Sequence, residues 1–159
     1  MGEQYFKVVH RSAKHTYITY HYNDILITKI DAAGKLAWMK KLPKKQMGMK
    51  GLGGMSYKHF YANNHHYLVF LDNVKNFNLP VDKTPALHSD GQGGYFTSYK
   101  IDDTTGASIN SSVFNVRDVE DMTIYQFAIG RIVETEDNAF MVEVYKKKKE
   151  DVMIKVTMK

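Results

Sequence analysis

The segment Asp24-Ile25-Leu26-Ile27-Thr28-Lys29-Ile30-Asp31-Ala32-Ala33-Gly34-Lys35-Leu36-Ala37-Trp38 alternates apolar and polar side chains, breaks at a short Asp-Ala-Ala-Gly turn, and alternates again. A period of two marks a strand, because successive side chains point to opposite faces of a sheet. Gly34 ends the turn, where a residue without Cβ takes a positive φ at no steric cost. Outward from here, Tyr17 to Tyr22 precedes the segment and Lys35 to Leu42 completes it, which predicts three strands in antiparallel succession. On the last of them Leu36, Trp38 and Leu42 share a face, so the single tryptophan is placed in a core layer.

The same unit returns twice. Tyr67 to Leu71 precedes Gly94 to Asp102, and a turn at Asp103-Thr104-Thr105-Gly106 leads into Ala107 to Phe114. A partial copy runs from Ala139 to Tyr145 and, after a lysine-rich turn, from Asp151 to Thr157. Aligned on Lys29, Lys100 and Lys155, the copies lie 71 and 55 residues apart, more than the roughly 40 to 50 of common propeller blades. Loops must be inserted, and Asn73 to Gly93, with Pro80 and Pro85, is one of them. The reading is an all-β chain of antiparallel, hairpin-rich sheets arranged like β-propeller blades. It forms a single β domain over 1–159, with repeat-like units near 15–46, 65–114 and 138–159. The alternative is a small closed β-barrel, its nine methionines and many aromatics lining a cavity for an apolar ligand.

Composition narrows the chemistry. A chain of 159 residues, 43% apolar, buries enough surface to fold without a metal or disulfide staple. With no cysteine, disulfides, thiolate zinc sites and cysteine nucleophiles are excluded. No apolar stretch approaches the ~20 residues that span a bilayer, and Met-Gly-Glu-Gln lacks the apolar core of a signal peptide. The net charge of +5 is uneven: residues 1–80 carry 12 basic and 4 acidic side chains, residues 81–159 carry 10 and 13. Lys40, Lys41, Lys44 and Lys45 around Pro43, and Lys146 to Lys149, sit where hairpin ends are expected to meet solvent. No nucleic-acid motif accompanies them, so no nucleic-acid partner is expected.

The segment Asp24 to Trp38, an apolar strand, an Asp-x-x-Gly turn and an apolar-x-Trp strand, resembles the blade motif of propeller repeats in secreted bacterial proteins. Its continuation, Lys40 to Gln46 and later Tyr67 to Asn73, is similar to the closing part of large envelope proteins of Gram-negative bacteria. The resemblance covers about half the chain. It implies a C-terminal portion of a longer exported protein, periplasmic, cell-surface or secreted, and it implies no activity.

Candidate chemistry is sparse. His59, His65 and His66 form the densest histidine cluster, but neighbours on a strand face opposite ways, and no metal site is assigned. His10, His15 and His21 flank a turn at Arg11 to Lys14. Gly48 to Met55 has the composition of a phosphate loop without its Gly-Lys-Ser/Thr ending or a following helix, and reads as a connection between blades. Asp118, Glu120 and Asp121 are the one acidic group a hydrolase could use, and no serine lies in a nucleophile elbow. Catalytic residues, metals and cofactors are therefore assigned to none. The aromatic content, 13%, is read first as the packing of a β core with one wet face, and second as ligand contact through a flat apolar ring with a polar tip. The candidate binding residues are Tyr57, Tyr61, His65, Tyr67, Asn73 and Asn76, with carbohydrate, peptide or protein as the partner. Unpaired sheet edges make self-association a further expectation.

Overall fold

The computed structural model describes residues 1–80, 82–91, 93–116, 119, 124–136, 138–146 and 150–159, and for residues 125 and 126 the backbone only. In chain order the strands are β1 (Gly2–Arg11), β2 (Thr16–Ile30), β3 (Leu36–Gly48), β4 (Lys58–Ala62), β5 (His65–Asp72), β6 (His88–Ser89), β7 (Tyr95–Asp102), β8 (Ser108–Asn115), β9 (Ile124–Thr135), β10 (Ala139–Lys146) and β11 (Glu150–Thr157). Strands hold 66% of the chain and helix 2%, so the packing is sheet on sheet. Three antiparallel sheets form: β1-β2-β3, extended at its edge by β6 in parallel; β4-β5-β7-β8; and β9-β10-β11.

The second sheet lies between the other two. One of its faces places Phe60, Val69, Leu71 and Phe96 against Ile132, Phe140, Val142 and Val144 of the third sheet. Phe60 and Phe140 stack there at 4.7 Å with rings 3° from parallel. The opposite face places Leu68, Phe70, Tyr99 and Ile101 against Ile25, Ile27 and Leu42 of the first sheet, with Trp38 and Tyr57 at its margin. This is why Tyr67-Leu68-Val69-Phe70-Leu71 is apolar without interruption: a strand covered on both sides has no wet face to alternate with. The three repeat-like stretches thus fall in three separate stacked sheets.

The barrel alternative is corrected, since none of the sheets closes on itself. Nor do the described methionines gather in one cavity: Met47 and Met49 line a cleft where the sheets meet, Met55 and Met158 are buried in different places, and Met1, Met39 and Met153 are exposed.

The first sheet departs from expectation in two linked ways. Tyr17 to Tyr22 and Asp24 to Ile30 form one strand of 15 residues, and its antiparallel neighbour is β1. Likewise β3 runs straight through Pro43. The register jumps there from Asn23↔Lys45 to Ile25↔Leu42, so Pro43 and Lys44 together oppose Asp24 in a bulge. Proline is tolerated because the bulge takes its position out of the ladder, where no N–H is required, and the Lys44 amide donates to the Asp24 carboxylate at 3.1 Å. The bulge turns Lys44 inward, so the solvated-turn reading fails for this lysine, whose side chain is fully buried.

The hairpin turns explain themselves locally. Asn63 and Asn64 both adopt positive φ (51° and 59°), as a two-residue hairpin turn between β4 and β5 requires. In the β2–β3 turn the Asp31 carboxylate accepts the amides of Ala33 and Lys35. In the β7–β8 turn Asp102, not Asp103, holds the equivalent place, accepting from the amide and hydroxyl of Thr105. Asp103, which the sequence places at the head of this turn, therefore has its carboxylate free for another task.

Candidate functional site

Asp103 joins the first two sheets. Its carboxylate meets Lys29 Nζ at 2.6 Å and His66 Nε2 at 3.0 Å, and its carbonyl accepts from Lys29 Nζ and from the Trp38 indole N–H at 3.0 Å. These bonds, Lys29 first, hold the Asp103 carboxyl below the usual range, so it is a carboxylate. The carboxylate favours a proton on His66 Nε2, which leaves His66 Nδ1 to accept from His59 Nε2 at 3.0 Å. Burial and then the neighbouring His66 lower the His59 pKa. His65 points the other way, its Nδ1 2.6 Å from the Asn63 carbonyl. Among the described residues no group of three or more His, Asp or Glu is placed to hold a metal ion.

A second polar cluster lies deep between the sheets. Lys44 Nζ pairs with Glu3 at 2.6 Å and donates to the Tyr22 carbonyl and to Gln46 Oε1. Gln46 Nε2 in turn donates to the Leu71 carbonyl of the second sheet at 2.6 Å, and Ser56 donates its hydroxyl to Glu3. Nearby, burial raises Asp72 to about 6 despite hydrogen bonds from Asn76 and Asn73, and burial lowers His88 to about 4. His88 Nε2 finds no hydrogen-bond partner among the described residues, consistent with a neutral ring. The pairings are complete enough to read the cluster as a clamp between strands.

The feature suited to a ligand is a cleft of about 620 Å³ where all three sheets meet. Leu71, Val116 and Phe127 give it an apolar floor, while Asp90, Arg131 and Glu143 stand at its polar wall. Arg131 and Glu143 are paired at 2.8 Å. The glycine run belongs to this wall: the Gly54 amide donates to Asp90 at 2.9 Å, and a Cβ at Gly53 would overlap the same carboxylate. Gly53 is at φ +49°, so glycine is needed there on both counts. Pockets of this kind, apolar with a few convergent polar groups, are the usual small-ligand sites.

The residues singled out from sequence do not converge on it. Tyr61 is exposed and donates to Asn64, whereas Tyr67 is buried on the other face of the sheet and donates to the Lys159 carbonyl at 2.7 Å. His65 and Tyr67 are neighbours, with rings 6.4 Å apart. Tyr57 packs at the margin of the first-to-second-sheet core. Asn73 and Asn76 organise the connection after β5: Asn73 donates to the Leu87 carbonyl, and buried Asn76 holds Asp72 and both polar groups of Ala86. Asp118, Glu120, Asp121 and Lys147 to Lys149 lie outside the described residues. The cleft is not legible in the sequence because its parts, near 47–54, 89–91 and 127–145, are far apart in the chain; the glycine run from Gly48 to Gly54 is its local signal.

No protein-family model, no curated protein and no solved structure matches the chain. Among the described residues no helix is long and apolar enough to cross a membrane.

Proposed function

We propose that the chain is a run of three blade-like sheets from an exported, β-propeller-like protein of the Gram-negative envelope, and that it serves as a non-catalytic scaffold and binding module. The observation that carries this reading is the stacking: the three sheets are antiparallel apart from the short edge strand β6, and the second is covered by a sheet on each face. Blades of a propeller meet their neighbours in this way. The two turns built on Asp31 and Asp102, each closed by a glycine at positive φ, support a repeated unit. Binding falls to the cleft, whose apolar floor and Arg131–Glu143 pair suit a short peptide or oligosaccharide.

Fluorescence polarisation against labelled peptide and oligosaccharide arrays tests this, with Arg131→Ala/Glu143→Ala as the control. Their side chains are 56% and 34% exposed, and an unchanged unfolding midpoint is the check that the variant folds. The reading predicts a bound class whose affinity drops about tenfold in the variant, a difference of about 1.4 kcal/mol. Undiminished affinity in the variant, or chemical turnover of the bound class, contradicts it.

A further inference from the structure

We propose that His59 and His66 form a surface site for a divalent late first-row transition ion, with Cu(II) bound most tightly. The two histidines come from the two strands of one hairpin. His66 lies opposite Tyr61, and His59 is two residues before Tyr61, so both side chains leave the same face of the second sheet. His65 and His66, adjacent in the chain, face opposite ways; the usable pair is the diagonal one across the turn. None of the residues lining the cleft takes part.

The surroundings of His66 orient it as a ligand. Asp103 Oδ1 lies 3.0 Å from His66 Nε2 and holds the proton there, which turns the Nδ1 lone pair toward His59 Nε2, 3.0 Å away. Asp103 is itself fixed by Lys29, whose Nζ meets the other carboxylate oxygen at 2.6 Å. A carboxylate on one ring nitrogen is the device that sets the tautomer and direction of metal-bound histidines. A single proton stands between the two imidazoles, and binding of an ion displaces it. Two nitrogens about 2.0–2.1 Å from one ion, and ~90–110° apart as seen from it, stand roughly 2.9–3.4 Å from each other, which brackets the observed separation. The rings meet head to head, with centroids 5.2 Å apart. His59 is exposed and its ring makes no other hydrogen bond among the described residues, so a turn of that ring brings both lone pairs onto the ion. Water fills the remaining positions. Imidazole nitrogen suits Cu(II), Ni(II) and Zn(II), and affinity at such a site peaks at Cu(II). The other paired histidines are built differently: His10 and His21 each reach the Thr19 hydroxyl at 3.0 Å, which stands between them.

Trp38 reports on the site, because its ring lies 6.5 Å from that of His66 and it is the only tryptophan. Cu(II) is added to the full chain at neutral pH from ~1 to ~100 µM while Trp38 emission is followed, and the bound ion is examined by electron paramagnetic resonance. Saturable quenching is expected, with hyperfine coupling to two imidazole nitrogens. His59→Ala and His59→Gln, at an exposed position, are expected to raise the quenching midpoint about tenfold or more and to remove one nitrogen from the spectrum. Their unfolding midpoints without metal are expected to stay near wild type. His10→Ala is expected to change neither readout. Absence of saturable quenching overturns the proposal. So does quenching that both His59 variants retain, or quenching that His10→Ala abolishes, which would place the ion on the first sheet.

Discussion

The ammonium of Lys44 lies 2.6 Å from the Glu3 carboxylate, and the lysine side chain has no exposure to solvent. Burial lowers the Lys44 pKa, with Glu3 acting against that shift as the nearest anion. The pair ties β1 to β3, and through Gln46 to the second sheet. Removing one partner leaves the other charge stranded. Lys44→Met is expected to cost about 3–5 kcal/mol in urea unfolding, and Lys44→Met/Glu3→Leu far less than the single change. Equal losses in the single and double variants would show that the pair is not coupled.

Asp72 and His88 oppose each other in pH. The folded pKa of Asp72 is raised from 3.8 to about 6, so the stability it contributes is present below pH 3.8 and is lost as pH rises to about 6. His88 is lowered from 6.5 to about 4, so its contribution is present above 6.5 and is lost as pH falls to about 4. The two nearly cancel in the wild type. In Asp72→Asn, stability is expected to climb from pH 4 to 6.5; in His88→Gln it is expected to fall from pH 4 to 6. Each swing is about 3 kcal/mol at most, from denaturant midpoints across pH. Matching profiles for the two variants would refute the opposition.

Gly106 carries the Trp38 ring. A Cβ at Gly106 would meet Trp38 atoms at 2.8 and 2.9 Å, and the residue sits at φ +71°. Gly34 has a similar φ, +78°, but open space around it. Gly34→Ala is expected to cost about 1 kcal/mol for the backbone alone, and Gly106→Ala clearly more, with a shift in the emission of the only tryptophan. Equal costs and an unmoved emission would remove the packing argument.

Asp103 and Asp102 separate by role. Asp103→Ala is expected to free His66 and to leave Lys29 and Trp38 held by the backbone carbonyl alone, a looser link that raises Trp38 quenching; Asp102→Ala is expected to alter the turn and leave quenching nearer wild type. The check is iodide or acrylamide quenching of Trp38. Reversed sensitivities would restore Asp103 to the turn.

Much of the architecture is legible in the sequence where one face of a strand is wet, as at Asp24 to Leu42, and where an unbroken apolar run such as Tyr67 to Leu71 signals two covered faces. The bulge was not legible. Asn23-Asp24 and Pro43 are turn-forming residues by local preference, and only the pairing of β2 with β3 overrides that preference. Lys44 misled for the same reason, since a lysine is buried only when partners such as Glu3, 41 residues away, converge on it. Asp102 and Asp103 are both turn residues by type, and only the approach of Lys29 and His66 divides them. The cleft depends on the meeting of three sheets, which no local pattern encodes.

The stack itself is tested most directly by nuclear Overhauser contacts in the side-chain-labelled chain. The account predicts, in one folded species, cross-peaks between Phe60 and Phe140 on one side of the second sheet and between Leu68 or Phe70 and Ile25 or Ile27 on the other. A well-dispersed spectrum lacking either set would contradict it.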